Sequence, residues 1–179
     1  SILTLLGSLT SCDIDHRSEL KKKGVPYIVE SLFQSAKTGD SVIVEHLLLS
    51  GMSPEARDEK LITPLMIAVQ NGHLSVVKLL VENGATIETT SSSGWFALLL
   101  ACHLEHTDIL SYLLQQGANP DNRRSIGGES CLHRSVERGL RNQVDMLLEG
   151  GADINVMSLS GETVLMKAAA THQSAMVQY

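Results

Sequence analysis

Glycine recurs along this chain with a nearly constant period of about 33 residues. One set of glycines in register comprises Gly51, Gly84, Gly117 and Gly151. A second set has the same period and comprises Gly39, Gly72 and Gly139. Repetition of this length is typical of helical pairs that stack in a row, each contacting only its neighbours. The period therefore predicts an all-α repeat chain rather than one closed globule, and it favours a binding function.

Each repeat predicts a helix, a tight turn, a second helix and a loop. In the most regular copy, Thr63 is placed to cap a helix that begins at Pro64, where a missing N–H costs nothing. Gly72 and Gly84 supply residues that tolerate a positive φ after the first and second helices. Polar, turn-rich segments separate the repeats and are predicted to form projecting hairpin fingers. These segments are Glu55–Ile62, Asp121–Glu129 and Asn155–Glu162.

The most regular copy carries the run Thr63-Pro64-Leu65-Met66-Ile67-Ala68, then Gly72-His73, and ends at Gly84-Ala85. Because this pattern recurs in register, the chain resembles the ankyrin repeat family over residues 26–179. The resemblance implies an all-α, ankyrin-repeat α-solenoid of helix-turn-helix units with projecting hairpin loops.

We expect ankyrin units at about residues 26–57, 58–90, 91–124, 125–157 and 158–179, the last of them truncated. Residues 1–25 are expected to form an N-terminal flanking helix or linker. The charged segment 13–24 favours a solvated linker, with a basic contact patch as the alternative. Since the chain lacks an initiator methionine and stops inside a repeat, we expect a fragment of a larger ankyrin repeat protein.

Composition narrows the class of partner. The net charge of -6 argues against general attraction to nucleic acid or an anionic membrane. No apolar run approaches the roughly 20 residues that span a bilayer, so membrane insertion is not expected. The cysteines Cys12, Cys102 and Cys131 cannot all pair with one another, and none has a nearby partner cysteine of the metal-binding type. They favour a reducing intracellular location, in the cytoplasm.

Catalytic and cofactor motifs are not found in the sequence. A nucleophile elbow, a P-loop and a dinucleotide-binding glycine motif are all missing, so we predict a non-enzyme without cofactor. The cluster Cys102-His103-x-x-His106 is the nearest approach to a metal site, but Cys102 falls in a column expected to be core. The family resemblance implies that His133 bonds the local backbone and the neighbouring repeat rather than activating Cys131. No metal or catalytic residue is therefore predicted.

In ankyrin-like stacks, the finger tips and the exposed side of the first helices line a protein-binding groove. The candidate partner-binding residues in those positions are Ile62, Gln70, Asn71, Trp95, His103, Leu104, Arg123, Glu137 and Arg138. Trp95 is the leading anchor, because it is the only tryptophan and tryptophan is enriched among binding hot spots. The alternative is a ring that packs locally on its own finger.

Arginines crowd the fourth unit: Arg123, Arg124, Arg134, Arg138 and Arg141. Their guanidinium groups would suit a carboxylate or phosphate of a partner. The alternative is pairing within the chain to the acidic residues Glu129, Glu137 and Asp145.

Asn155 is a candidate modification site. Leu147 lies eight residues before it and Asp153 two residues before it. This spacing resembles the site that asparaginyl hydroxylases modify in ankyrin domains. A turn asparagine that satisfies the finger backbone is the alternative.

The function implied by the resemblance is a protein–protein interaction scaffold or recognition module whose partners are other proteins. The alternative is a substrate-recruiting ankyrin array of a larger enzyme or of a ubiquitin-ligase adaptor. Ankyrin folds serve many functions, so the partner does not follow from the fold.

Overall fold

The structure, a computed structural model, describes residues 11–125 and 127–171. Residues 1–10 of the flanking segment and residues 172–179 of the fifth unit lie outside the described residues. Within the described ranges, the regular elements are helices. One isolated antiparallel bridge links Met157 to Thr163 across a finger. The predicted all-α chain of helix-turn-helix units is confirmed.

The chain divides into two compact units. The first unit comprises the chain up to Arg57 together with Thr63–Ala85, and the second comprises Asp58–Ile62 together with the chain from Thr86 onward. The finger Asp58–Ile62 belongs to the second unit because it bonds to the following finger. The backbone N–H of Ser92 donates to the carbonyl of Lys60 at 2.9 Å.

The first unit contains five described helices: α1 (Ser11–Lys22), α2 (Val29–Thr38), α3 (Ser41–Leu49), α4 (Pro64–Gln70) and α5 (Leu74–Glu82). Helices α2 and α3 form one pair and α4 and α5 the next, with α2 packed on α4 and α3 on α5. Aliphatic side chains fill the space between them. Those buried most completely include Leu32, Val44, Leu47, Leu65, Val76 and Leu80.

The expectation of a solvated linker over residues 13–24 is wrong, because α1 runs through most of this segment and packs on α3. Leu20 is only 1% exposed. The guanidinium of Arg17 lies over the ring of Tyr27, 4.3 Å from its centroid. The Nη2 of Arg17 also donates to the carbonyl of Ser50 at 3.4 Å, and the rings of His16 and His46 lie 5.2 Å apart. Buried Leu20, these contacts and the cation–π contact together dock α1.

The predicted ends of helix α4 are confirmed. The hydroxyl of Thr63 accepts a hydrogen bond from the N–H of Met66 at 3.2 Å, and Pro64 occupies the first helical position. Gly72 follows α4 with a φ of 73°, a conformation that costs glycine nothing.

The second unit contains five described helices: α6 (Ala97–His103), α7 (Thr107–Gln115), α8 (Cys131–Glu137), α9 (Arg141–Glu149) and α10 (Val164–Ala170). The pairs are α6 with α7 and α8 with α9; α8 packs between α6 and α10, and α7 contacts α9. The core of this unit is again mainly aliphatic. Its most deeply buried large side chains include Phe96, Leu98, Ile109, Leu113 and Leu132.

In the finger of the fourth unit, the hydroxyl of Ser125 donates to the carbonyl of Glu129 at 2.7 Å. The three other fingers of the second unit, which begin at Asp58, Ser91 and Ser158, share one hairpin geometry. The backbone N–H of the first residue donates to the carbonyl of the fifth, from Asp58 to Ile62 at 3.1 Å and from Ser158 to Glu162 at 2.9 Å. A short polar side chain at the first position accepts a further backbone bond, as in Asx and Ser/Thr turns. The last residue of each finger is therefore held rigidly beside the helix that follows.

Two neighbouring glycines test how tightly adjacent fingers pack. We expect Gly128→Ala to lower the free energy of unfolding by about 2–4 kcal/mol, because the added Cβ would clash with Leu159. The distance from this Cβ to the backbone nitrogen of Leu159 would be 2.8 Å. Gly127→Ala is the matched control, since it also has a positive φ but nothing within 4 Å, and should cost only about 1–2 kcal/mol. Urea unfolding would measure both, and equal losses would contradict close finger packing.

Candidate functional site

The finger of the third unit, residues 91–95, fixes the backbone of Trp95. The N–H of Ser91 donates to the carbonyl of Trp95 at 2.8 Å, and the N–H of Trp95 donates to the hydroxyl of Ser91 at 3.0 Å. Helix α6 begins two residues later, so the indole projects from a rigid junction between finger and helix.

The indole of Trp95 contacts two successive repeats and remains partly exposed. Its centroid lies 5.1 Å from that of the His103 ring, with the two planes tilted by 57°. The guanidinium carbon of Arg134 lies 5.7 Å from the Trp95 centroid. The ring therefore bridges the end of α6 and the exposed side of α8, where a cation–π contact is favourable.

Arg138 joins the turn after α6 to the end of α8. Its Nη1 donates to the carbonyl of His103 at 2.6 Å, and its Nη2 pairs with the carboxylate of Glu105. Glu105 replaces the glycine expected in this column and has a φ of 60°, which is uncommon for a residue with a side chain. The Arg138 contact holds both the carboxylate and the preceding carbonyl of this turn.

Lys167 of α10 lies at the centre of a cluster of carboxylates. Its Nζ is 2.7 Å from Glu129, 3.4 Å from Glu137 and 3.8 Å from Glu162, and its side chain is 15% exposed. The hydrogen bond with Glu129 raises the pKa of Lys167, against the opposing effect of burial. Burial would by itself raise the pKa of Glu129, but the hydrogen bond and charge of Lys167, together with Arg134, hold that pKa below its usual range.

Arg134 has fewer partners than Lys167. Its Nη2 lies 3.7 Å from Glu129, which is an ion pair but longer than a hydrogen bond. Its Nε is buried and has no hydrogen-bond partner among the described residues. A buried donor without a partner is rare in folded proteins, so this guanidinium stands out.

The pairing within the chain that sequence suggested as an alternative is present in part. Arg134 pairs with Glu129 as expected, whereas Glu137 pairs with Lys167. Arg123 instead donates to the carbonyl of Met157 at 2.6 Å. The arginines of the fourth unit therefore bind backbone carbonyls of adjacent repeats as well as carboxylates.

The remaining candidate residues are placed as follows. Leu104 is 38% exposed at the end of α6, beside the surface formed by Trp95 and His103. Ile62 is half-buried at the end of its finger in the second unit. Gln70 and Asn71 are exposed in the first unit, where Asn71 donates from its side-chain amide to the carbonyl of Ile67 at 2.8 Å.

The cysteine and histidine pairs considered for chemistry lie in the core. Cys102 is 2% exposed and Cys131 is fully buried, and burial beside Cys102 raises the pKa of the Cys131 thiol. The ring of His133 is bonded on both sides, with Nδ1 3.0 Å from the Ser130 hydroxyl and Nε2 3.0 Å from the Glu162 carbonyl. The predicted structural role of His133, between its own repeat and the next, is confirmed.

The described residues contain neither a metal-binding cluster nor a helix that could span a membrane. No group of three or more His, Cys, Asp or Glu side chains within it is arranged to hold a metal ion. None of the helices in residues 11–125 and 127–171 is both long and apolar enough to cross a membrane.

Asn155 is exposed on a tight turn. Its backbone N–H donates to the carboxylate of Asp153 at 2.9 Å, and the N–H of Val156 donates to the Asp153 carbonyl at 2.9 Å. The acidic residue two positions earlier therefore shapes the turn that presents the asparagine side chain.

Sequence reasoning named Arg134 only within the arginine cluster and did not name Lys167. The signal lay at one position of the first helix, which is occupied in successive repeats by Ile67, Leu100, Arg134 and Lys167. Such a set of equivalent positions is called a column. The column changes from apolar to cationic between the third and fourth repeats, and the finger-end column becomes acidic at Glu129. Aligning both columns would have predicted an ion pair between them.

Comparison with known proteins gives a family and two partial relatives. The family model described as ankyrin repeats (3 copies) matches residues 32–124, and the model for a single ankyrin repeat matches residues 127–158. The chain is 34% identical over 84 residues to glycerophosphocholine phosphodiesterase GDE1 of Candida albicans, covering 46% of this chain and 6% of that protein. It is 38% identical over 64 residues to an ankyrin repeat-containing protein of Schizosaccharomyces pombe, covering 36% of this chain and 31% of that protein.

The Lys167 cluster predicts a specific dependence of stability on pH. Because folding lowers the pKa of Glu129, its contribution is complete above the unfolded value and is lost as the pH falls below 4.5. We expect Glu129→Gln to lower the free energy of unfolding by about 1–2 kcal/mol at pH 7 and by less at pH 3.5.

Urea unfolding at pH 7 and about pH 3.5 checks this pH dependence. Glu149→Gln is the control, because Glu149 is exposed on α9 away from the lysine. An equal effect of Glu129→Gln at both pH values would contradict the ion pair.

Proposed function

The chain belongs to the ankyrin repeat family, whose repeats act as protein-interaction modules, and on this premise we propose that it is a scaffold or recognition module binding through its second unit. The observation that carries the proposal is the ring of Trp95, which is partly exposed and held between His103 and Arg134. A rigid, partly exposed tryptophan flanked by a cation is typical of an interface anchor. The fixed finger supports it, since little side-chain entropy would be lost on binding.

Leu104, Glu137 and Arg138 extend the proposed surface along the ends of α6 and α8. Arg123 and Ile62 belong to the finger side of the same unit, and Gln70 and Asn71 would supply a separate contact on the first unit. The partner is another protein rather than nucleic acid, because the net charge is -6.

An intracellular, cytoplasmic location and a non-enzymatic role complete the proposal. Free, buried Cys102 and Cys131 suit a reducing compartment. The buried Cys131 thiol and the doubly bonded His133 ring make a poor nucleophile and base, which supports a non-catalytic domain.

A second candidate function is recruitment of substrate within a larger enzyme or a ubiquitin-ligase adaptor. One relative favours it, because a protein named as a phosphodiesterase contains a segment that is similar to this chain. The chain spans less than a third of the length of each of these two relatives, so their activities do not transfer to it. A catalytic domain or ligase-recruiting segment in the full-length protein would distinguish this function from a scaffold.

The anchor role of Trp95 predicts separate effects on binding and folding. We expect Trp95→Ala to weaken by at least about 2 kcal/mol the binding of peptides selected on the wild-type chain from a random displayed library. The helical circular dichroism signal should be nearly unchanged, because the ring is partly exposed. Val42→Ala is the control, since Val42 is an exposed apolar residue of the first unit. Unchanged peptide affinity, or loss of the helical signal, would contradict the anchor role.

We also propose that Asn155 is a substrate for an asparaginyl hydroxylase. Its exposure and its fixed turn support access to the side chain. Incubation of the chain with such an enzyme should add the mass of one oxygen atom to the peptide containing Asn155, read by mass spectrometry. Asn119, an exposed asparagine of the preceding repeat, is the internal control. Equal modification of both, or of neither, would contradict the proposal.

A further inference from the structure

Two cations hold equivalent positions in successive repeats of the second unit. Arg134 occupies the exposed column of α8 and Lys167 the same column of α10. Each lies near the last residue of its own finger at almost the same distance, 3.7 Å for Arg134 to Glu129 and 3.8 Å for Lys167 to Glu162. The two cation sites therefore have similar geometry and can be compared directly.

The Lys167 site is fully satisfied by carboxylates. Besides Glu162, the lysine contacts Glu129 from the preceding finger at 2.7 Å and Glu137 from the preceding helix at 3.4 Å. Three carboxylates around one ammonium give this site a net negative charge, so it does not favour binding of a further anion.

At the Arg134 site, Trp95 and His103 occupy the positions equivalent to those two carboxylates. Trp95 offers its ring face to the guanidinium, at 5.7 Å, but a ring face accepts no strong hydrogen bond. Glu129, the remaining neighbour, gives its short contact to Lys167. The five N–H donors of Arg134 thus have one ion pair beyond hydrogen-bond distance, and the buried Nε has no partner among the described residues.

We propose that Arg134 binds a carboxylate side chain of the partner protein, set against the ring of Trp95. This inference rests on the proposed function and names the chemistry of its partner: a peptide segment with an aspartate or glutamate beside an apolar residue. The carboxylate accepts hydrogen bonds from the Nη groups of Arg134, since Nε is buried, while the apolar residue covers the exposed part of the indole.

The charges around the site favour a carboxylate over a phosphate. Glu129 lies 3.7 Å from the guanidinium, and Lys167 is already neutralised by its own carboxylates. Arg134 is only weakly paired with Glu129, so it suits a ligand with a single negative charge and two oxygens, which an arginine binds bidentately. A phosphate dianion would be repelled more strongly by the same glutamate.

The test uses the peptides selected from the random library on the wild-type chain. Each peptide is compared with a version in which its acidic residue is changed to the matching amide, and binding is followed by the fluorescence anisotropy of a dye attached to the peptide, which can be read with every variant. We expect the amide version to bind the wild-type chain at least about tenfold more weakly. In Arg134→Met the two versions should bind equally, whereas Arg134→Lys, which keeps the charge, should retain part of the difference.

The matched control is Arg57→Met, which removes an exposed, ion-paired arginine from the first unit and should leave the acid preference intact. Equal binding of acid and amide peptides to the wild-type chain, with binding still lost in Trp95→Ala, would overturn this inference and leave the proposed function standing. Tighter binding of a phosphoserine version would overturn the choice of carboxylate. Failure to select any peptide that depends on Trp95 would count against the protein-binding function itself.

Discussion

Close stacking of the first helices is the constraint on which this structure depends. Small side chains occupy the middle of the first helices in each unit: Ser35 and Ala68 in the first unit, and Ala101, Ser135 and Ala168 in the second, all buried. Within each unit they allow neighbouring helices to approach closely, so that aliphatic residues fill the remaining space. Where this column is polar, its bonds are satisfied, since the Ser135 hydroxyl donates to the side-chain carbonyl of Gln143 at 3.0 Å. The amide of Gln143 in turn donates to the carbonyl of Cys102, in the preceding repeat, at 3.2 Å.

Stacking fixes the backbone and leaves the exposed columns free to differ. The finger-end residue of one repeat lies beside the first helix of the next, so two columns decide the chemistry of this face. A glutamate and a lysine there form a stabilising cluster, as at Glu129 and Lys167. An aromatic ring and an arginine form a surface with unused hydrogen-bond donors, as at Trp95 and Arg134. One geometry thus supplies both a structural contact and the proposed binding site.

The sequence predicted those features that depend on local backbone chemistry. The cap at Thr63 and the positive φ of Gly72 follow from residue type and period, and the structural role of His133 follows from the family resemblance. The docking of α1 was missed because, among residues 16–22 of this helix, only Leu20 is buried, and it lies within a charged segment. The sequence left the partners of Arg134 undecided because they depend on where a finger lies relative to the next first helix. Arg134 and Trp95 are 39 positions apart, and Lys167 and Glu129 are 38 positions apart.

Chemical-shift mapping of the chain, with a selected peptide added, would locate the binding surface. We expect the largest changes on the indole N–H of Trp95, the Nε–H of Arg134 and the backbone amides around them. Helices α7 and α9, which form the second layer of this unit, should change little. Changes concentrated on α7 and α9, or confined to the first unit, would contradict a binding site built on the finger ends and first helices.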